Sequence, residues 1–263
     1  MIRHQRAQGA ASLEVSAQGL ARLHQSAPLR VLFPTPEPGE PLEAVLVNVA
    51  GGLAGGDELH AEIRLRDGAR AVTTTPAAEK LYRSLGEEAR IATRIAIAEG
   101  AVLEHLPQEA ILFQGARLRR SMEAELAPGA TLLAAESVVL GRLARGEVWR
   151  SGALRDSWRL RQGGRLIWAD AMALDAERRD APFGLDGADS LGMILLAAEG
   201  AARHRELARD LTQGTASLVR PGLLLLRFLG GAQEVRGAIA TAIRELRGEA
   251  LGRPKSLPRL WTC

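Results

Sequence analysis

A period of two that restarts after glycine, three times over, is the strongest constraint in this sequence. Leu59, Ala61, Ile63 and Leu65 alternate with more polar residues, and after Arg66-Asp67-Gly68 the alternation resumes at Ala69, Ala71 and Thr73. Such a period places the apolar residues on one face of each strand. A two-residue Asp-Gly loop would move the apolar set to the other face. A three-residue loop keeps Leu65 and Ala69 on the same side and puts Gly68 where the backbone needs the left-handed conformation. The design recurs at Ile91–Ile97, Ala98-Glu99-Gly100 and Ala101–Leu103. It recurs again at Met122–Leu126, Ala127-Pro128-Gly129 and Ala130–Ala134. The Gly-Ala dipeptides at 68, 100 and 129 are 32 and 29 residues apart. Units at near-constant spacing predict a mainly β fold, either stacked hairpins forming two facing sheets or a β-helical stack.

Beyond this region, Leu154–Ala169 reads as a hairpin around Gly163-Gly164. Thr215–Val219 and Leu223–Leu229 read as two strands parted by Pro221-Gly222. Ala201–Leu211 and Ala232–Leu246 read as helices, the second from the three- and four-residue steps of Val235, Ile239, Ala242, Ile243 and Leu246. About two helices are therefore expected in the C-terminal third. No Pro-, Gly- or Ser-rich linker divides the chain, and Thr35–Pro41 is short enough to be a loop. Residues 1–263 read as a single domain.

Aromatic residues make up only 3% of the chain, so Ala, Leu, Val and Ile must build its core. The formal charge is +3, with Lys only at Lys80 and Lys255, and Arg is interspersed with acids, as in Arg64, Arg66, Asp67 and Glu87, Glu88, Arg90. A nucleic-acid surface would instead show a basic face with interleaved aromatics. The lone cysteine, Cys263, allows no internal disulfide and fits a reducing compartment. No apolar run approaches the roughly 20 residues of a membrane span, and the N-terminus lacks a signal-peptide core. A cytoplasmic protein without membrane or nucleic-acid partners is expected.

Gly51-Gly52-Leu53-Ala54-Gly55-Gly56-Asp57 is the most unusual local segment. A phosphate loop would need Lys-Ser or Lys-Thr and then a helix, whereas here Asp57 and a strand follow. Four glycines in six residues imply a tight turn with something packed closely on its backbone. No two histidines have metal-ligand spacing. His60, after Asp57-Glu58, could join a loose oxygen–nitrogen cluster, or simply face solvent. His105 should share a face with Thr93 and Leu103, half buried. Cys263 could ligate a metal only together with another chain. There is no Gly-x-Ser-x-Gly elbow, and nothing in the sequence compels an enzyme.

Four ordered motifs carry a resemblance. They are Val47-Asn48-x-Ala50-Gly51-Gly52-x-x-Gly55-Gly56-Asp57; Thr74-Thr75-Pro76-Ala77-Ala78-Glu79-Lys80-Leu81-Tyr82-Arg83-Ser84; Leu103-Glu104-x-Leu106-Pro107-Gln108-Glu109-x-Ile111-Leu112-Phe113-x-Gly115-Ala116; and Glu136-Ser137-Val138-Val139-Leu140-Gly141-Arg142 with Gly146-Glu147. In order and spacing the chain resembles the UreD/UreH family of urease accessory proteins over nearly its whole length. It departs from many relatives in having Ala50 for Pro and His105 for an aromatic. The resemblance implies a β-rich, non-catalytic scaffold that binds the urease apoenzyme and a helical UreF-type partner. Through that complex it would work with a UreG-type GTPase whose GTP hydrolysis drives Ni²⁺ toward the urease active site. No tightly bound cofactor is expected, only transient Ni²⁺. A route that passes the ion on must bind it weakly, which suits oxygen donors. Asp57, His60, Glu104, His105, Glu109 and Glu136 are the candidates for that route. Lys80, Tyr82 and Arg83 are candidates for a partner contact, Tyr and Arg being favoured interface anchors. A small-molecule-binding or catalytic β-domain with an unrecognised site is the alternative.

Overall fold

The computed structural model describes residues 6–182 and 184–262, so Cys263 and any metal-ligating part for it lie outside the described residues. In chain order the strands are β1 (Gln8–Ser16), β2 (Gly19–Ser26), β3 (Leu29–Leu32), β4 (Leu42–Asn48), β5 (Glu58–Leu65), β6 (Arg70–Thr74), β7 (Glu79–Leu81), β8 (Ala89–Ile97), β9 (Val102–Leu106), β10 (Ala110–Leu112), β11 (Arg117–Leu126) and β12 (Thr131–Leu140). They continue as β13 (Ala153–Gln162), β14 (Arg165–Leu174), α1 (Ala176–Asp180), β15 (Ser190–Ala197), α2 (Arg205–Leu211), β16 (Ala216–Arg220), β17 (Leu223–Gly230) and α3 (Ala232–Leu251). The first sheet has the order β14-β13-β11-β8-β5-β1-β2. The second has the order β16-β17-β15-β12-β9-β6-β4-β3, with β10 beside β12 and β7 beside β10.

Of the two expected arrangements the chain adopts the coiled stack. The strands flanking each Gly-Ala turn do not pair as hairpins: β5, β8 and β11 pair in parallel in the first sheet, and β6, β9 and β12 pair in parallel in the second. Each turn is an arch from one sheet to the other. A three-residue arch points Leu65 and Ala69 inward as well as a hairpin would, so alternation cannot distinguish the two. The backbone groups of the arches bond to the next coil, with Gly68 N–H to Glu99 O at 3.0 Å, Ala98 N–H to Leu65 O at 3.0 Å and Ala127 N–H to Ile97 O at 2.9 Å. Gly68, Gly100 and Gly129 have φ of 65°, 65° and 71°, the left-handed geometry expected of them.

The expected hairpin around Gly163-Gly164 is present as β13 and β14, and β16 pairs with β17 across Pro221-Gly222. Alternating residues of both sheets make the core between them. A second core lies on the outer face of the second sheet, where Val235, Ile239, Ile243 and Leu246 of α3 pack on Leu133, Ile194 and Leu224. Strand β12, covered on both faces, is buried from Leu132 to Leu140. The two expected helices are there, the first as a 3-10 turn at Ala201–His204 running into α2; the short α1 precedes both, its first turn capped by Asp175 through the Arg178 N–H at 2.9 Å. No helix among the described residues is long and apolar enough to cross a membrane.

Buried charges tie α3 to the sheet. Arg247, 1% exposed, donates from Nε to Glu104 at 2.5 Å, from Nη2 to Glu40, and from Nη1 to the Ser256 carbonyl at 2.5 Å. Arg236 pairs with Glu109 and donates to Gln108 Oε1 at 3.1 Å. Replacing Arg247 by Met leaves Glu104 and Glu40 without their counter-charge, an expected loss of about 3–5 kcal/mol. Urea denaturation of Arg247→Met and of the double variant with Glu104→Met checks this, the second change restoring most of the loss.

Candidate functional site

The arches occupy one side of the coil, and the long connections returning from the second sheet to the first occupy the other. Those connections carry the four motifs, one per coil, and they stack. Leu53 N–H bonds to Lys80 O and Tyr82 N–H to Leu53 O, both at 2.7 Å, joining the first motif to the second. Ser84 N–H to Gly115 O at 3.0 Å joins the second to the third, and Gln114 N–H to Glu147 Oε1 at 3.0 Å joins the third to the fourth.

Two of the clustered glycines are needed because the second motif lies on them. A Cβ on Gly52 would sit 2.5 Å from the Tyr82 ring, and one on Gly55 would collide with Ser84 Oγ and come 2.5 Å from the Glu87 carbonyl. Both carboxylate oxygens of Asp57 close this turn, accepting the Ala7 N–H at 2.8 Å and the Ala54 N–H at 2.7 Å. Lys80, Tyr82 and Arg83 are exposed. Tyr82 donates its hydroxyl to Gly51 O at 3.0 Å and meets the Phe113 ring edge-on at 5.2 Å, while the Arg142 guanidinium lies over the Phe113 ring, 4.5 Å from its centroid.

The proposed metal-route residues are scattered. Asp57 is held in its turn, and His60 is exposed on the outside of β5, 3.6 Å from Glu58. Glu104 and Glu109 face outward from the second sheet and hold α3 through Arg247 and Arg236. Only His105 and Glu136 point between the sheets. His105 is fully rather than half buried, bonded through Nδ1 to Thr73 Oγ1 at 2.8 Å. Burial, and then the Arg120 charge, pull its pKa down to about 4. No three His, Cys, Asp or Glu side chains gather as a metal site among the described residues.

Glu136 meets two residues that the sequence reading missed. Arg120 donates to Asp156 Oδ2 from Nη2 at 2.5 Å and from Nε at 3.2 Å, and its Nε also lies 3.2 Å from Glu136 Oε2. Arg120, Glu136 and Asp156 line a cavity of about 690 Å³, together with Trp158, Met172 and Met193. Asp156 Oδ1 has no hydrogen-bond partner, and Glu136 Oε2 meets Arg120 only as an ion pair. Burial raises the Glu136 pKa to about 8, because one guanidinium already engaged by Asp156 cannot offset the desolvation of a second carboxylate. The missed signal was in the alternation. Arg120 stands between Leu118 and Met122, and Asp156 between Leu154 and Trp158, at inward positions that apolar residues otherwise fill.

These placements have measurable consequences. Gly55→Ala should destabilise the fold more than Gly51→Ala, which meets no atom within 4 Å and costs only about 1 kcal/mol of backbone strain; parallel urea melts compare them. The two buried titrating groups act in opposite directions. Glu136 is protonated in the folded state up to about pH 8 against an ordinary value of 4.5, so its contribution is full below 4.5 and lost as pH rises through 8. His105 has a folded value of about 4 against 6.5, so its contribution is full above 6.5 and lost as pH falls toward 4. Melting temperatures from pH 4 to 9 should lose the alkaline slope in Glu136→Gln and the acid slope in His105→Gln.

The model of the UreD urease accessory protein family matches residues 7–262. A urease accessory protein UreD of Granulibacter bethesdensis is 47% identical over 238 residues, 88% of this chain and 99% of that one. The UreD of Magnetococcus marinus is 42% identical over 92% of this chain and 88% of its own, and that of Rhodopseudomonas palustris strain HaA2 is 42% identical over 97% and 93%. With a match across all four stacked motifs and identity above 40% over most of its length, this chain belongs to the UreD urease accessory protein family.

Proposed function

We propose that the chain serves urease maturation as a non-catalytic scaffold that passes Ni²⁺ through the cavity lined by Arg120, Glu136 and Asp156 toward the urease apoenzyme. It works with a helical UreF-type protein and, through that protein, with a UreG-type GTPase. One observation carries this reading: two buried carboxylates, Glu136 and Asp156, are among the residues lining the cavity and share the single guanidinium of Arg120. Asp57, Glu104 and Glu109 do not line the cavity, so the route narrows to Glu136 and Asp156. Two hard oxygen donors without a third ligand hold a divalent cation loosely, as transfer demands.

Arg120 sets the strength of that hold. While it lies against both carboxylates it supplies the positive charge that an entering cation would otherwise supply. A cation gains only what exceeds this resident ion pair, and it leaves as Arg120 returns. Protonated Glu136 works in the same direction, since an entering cation must first displace its proton.

The double variant Glu136→Gln, Asp156→Asn, which keeps acceptors for Arg120 and is co-expressed with urease, its accessory proteins and nickel, should lower the nickel content and activity of urease by tenfold or more, with the accessory complex still assembled. Wild-type nickel loading by this variant would refute the route. Asp57→Asn, which keeps an acceptor for its turn, should load urease normally.

A further inference from the structure

Polar residues at inward positions continue past Arg120 toward the end of the stack. Across the first sheet Arg120 of β11 is in register with Asp156 of β13, and Asp156 with Met172 of β14. Asp170, the next inward residue of β14, is in register with Trp158. Across the second sheet Glu136 of β12 is in register with Met193 of β15, and Met193 with Arg227 of β17. Asp170 interrupts the series Trp168, Met172, Leu174, and Arg227 follows Leu225, all residues of the core between the sheets.

The cavity is thus lined by two sets of charges in line. The inner set, Arg120 with Glu136 and Asp156, is buried. The outer pair joins Arg227 Nη2 to Asp170 Oδ2 at 2.7 Å, with side chains 50% and 35% exposed. Strand β14 is the last of the first sheet, and it shares no strand pairing with β16 or β17. At this end the sheets are therefore joined by side chains: the Arg227–Asp170 pair, and Arg220 Nη1, which donates to Ile167 O at 3.3 Å.

An ion pair so exposed is weak and screened by salt, so it opens and closes with little cost. What arrives decides which it does. A cation at Asp170 supplies the charge that Arg227 supplied and repels the guanidinium, whose half-exposed side chain can turn to water. An anion drawn to Arg227 is repelled by Asp170, and a neutral solute leaves the pair intact.

We propose that Arg227 is a gate on this cavity, closed by its ion pair with Asp170 and opened by an arriving cation. The proposal rests on the cargo route above for the identity of that cation, whereas the gate itself rests on where the pair stands. Behind it, one strand further in, Asp156 holds an oxygen free of hydrogen bonds, with Glu136 beyond. The cation moves from a solvated carboxylate toward buried ones, and Arg227 closes after it.

Trp158, 3% exposed and lining the cavity, reports the opening. Its fluorescence, taken as the difference between the purified chain and its Trp158→Phe variant, is quenched with acrylamide, a neutral probe. Arg227→Glu, which faces Asp170 with a like charge, should raise the quenching constant about threefold or more. The swap Arg227→Glu with Asp170→Arg should restore protection. In the unaltered chain magnesium chloride should raise quenching more than sodium chloride of equal ionic strength. Both substituted side chains are partly exposed, and unchanged melting temperatures confirm the fold. Unaltered protection in Arg227→Glu overturns the gate, as does a swap that stays open or a magnesium effect no larger than that of sodium. The cavity variant Glu136→Gln, Asp156→Asn should keep its protection. If that variant loads nickel normally while Arg227→Glu admits acrylamide, the cargo route fails and the gate stands. If it loses nickel loading while Arg227→Glu stays protected, the gate fails and the route stands.

Discussion

Parallel strands that follow one another through arches cannot satisfy their own backbone; each must hand its hydrogen bonds to the coil on either side. This requirement orders the rest of the molecule. It aligns the arches, whose N–H groups bond to the neighbouring arch, and it aligns the long connections on the opposite side. Residues about thirty positions apart thereby become neighbours at fixed spacing. The same rule confines variation: the arch side is built from three-residue turns with a left-handed glycine, and the opposite side takes segments of different length.

Against that regular frame the polar interior stands out. Inward positions of β9, β11, β12 and β13 carry His105, Arg120, Glu136 and Asp156 where Leu, Val or Ala would pack. Buried ionic groups of this kind seldom add stability over apolar residues of the same size. Their cost is offset only in part by the Arg120 fork, which leaves Glu136 short of a full partner and preferring its proton. Stability is given up where Arg120, Glu136 and Asp156 line the cavity, and departures from apolar packing of this kind are characteristic of functional sites.

Much of this was legible in the sequence. Alternation located the strands, parity placed Gly68, Gly100 and Gly129 in left-handed turns, and the crowding of glycines at 51–56 foretold the backbone contact that Tyr82 and Ser84 make. Pairing was not legible. A strand's inward face is written in its own residues, but the identity of its hydrogen-bonding neighbour is not, so arches read as hairpins. Nor was the outward face of the second sheet. Glu104 and Glu109 look like free carboxylates until α3, more than a hundred residues later, brings Arg247 and Arg236 against them. Arg120 and Asp156 were visible as breaks in the alternation, and became meaningful only when two sheets placed them together.

The Arg247 network has a consequence for how the chain comes to be folded. A stack of coils can begin anywhere and grow by neighbours, since each coil needs only the one beside it. Arg247, however, joins Glu40 from the beginning of the stack, Glu104 from its middle and the Ser256 carbonyl from the chain's end. Until Arg247 has left the ribosome, Glu104 is a carboxylate awaiting its partner on an apolar sheet face. A molecule assembled by increments is thus closed by a single late event, and a nascent or truncated chain exposes the face that α3 would cover.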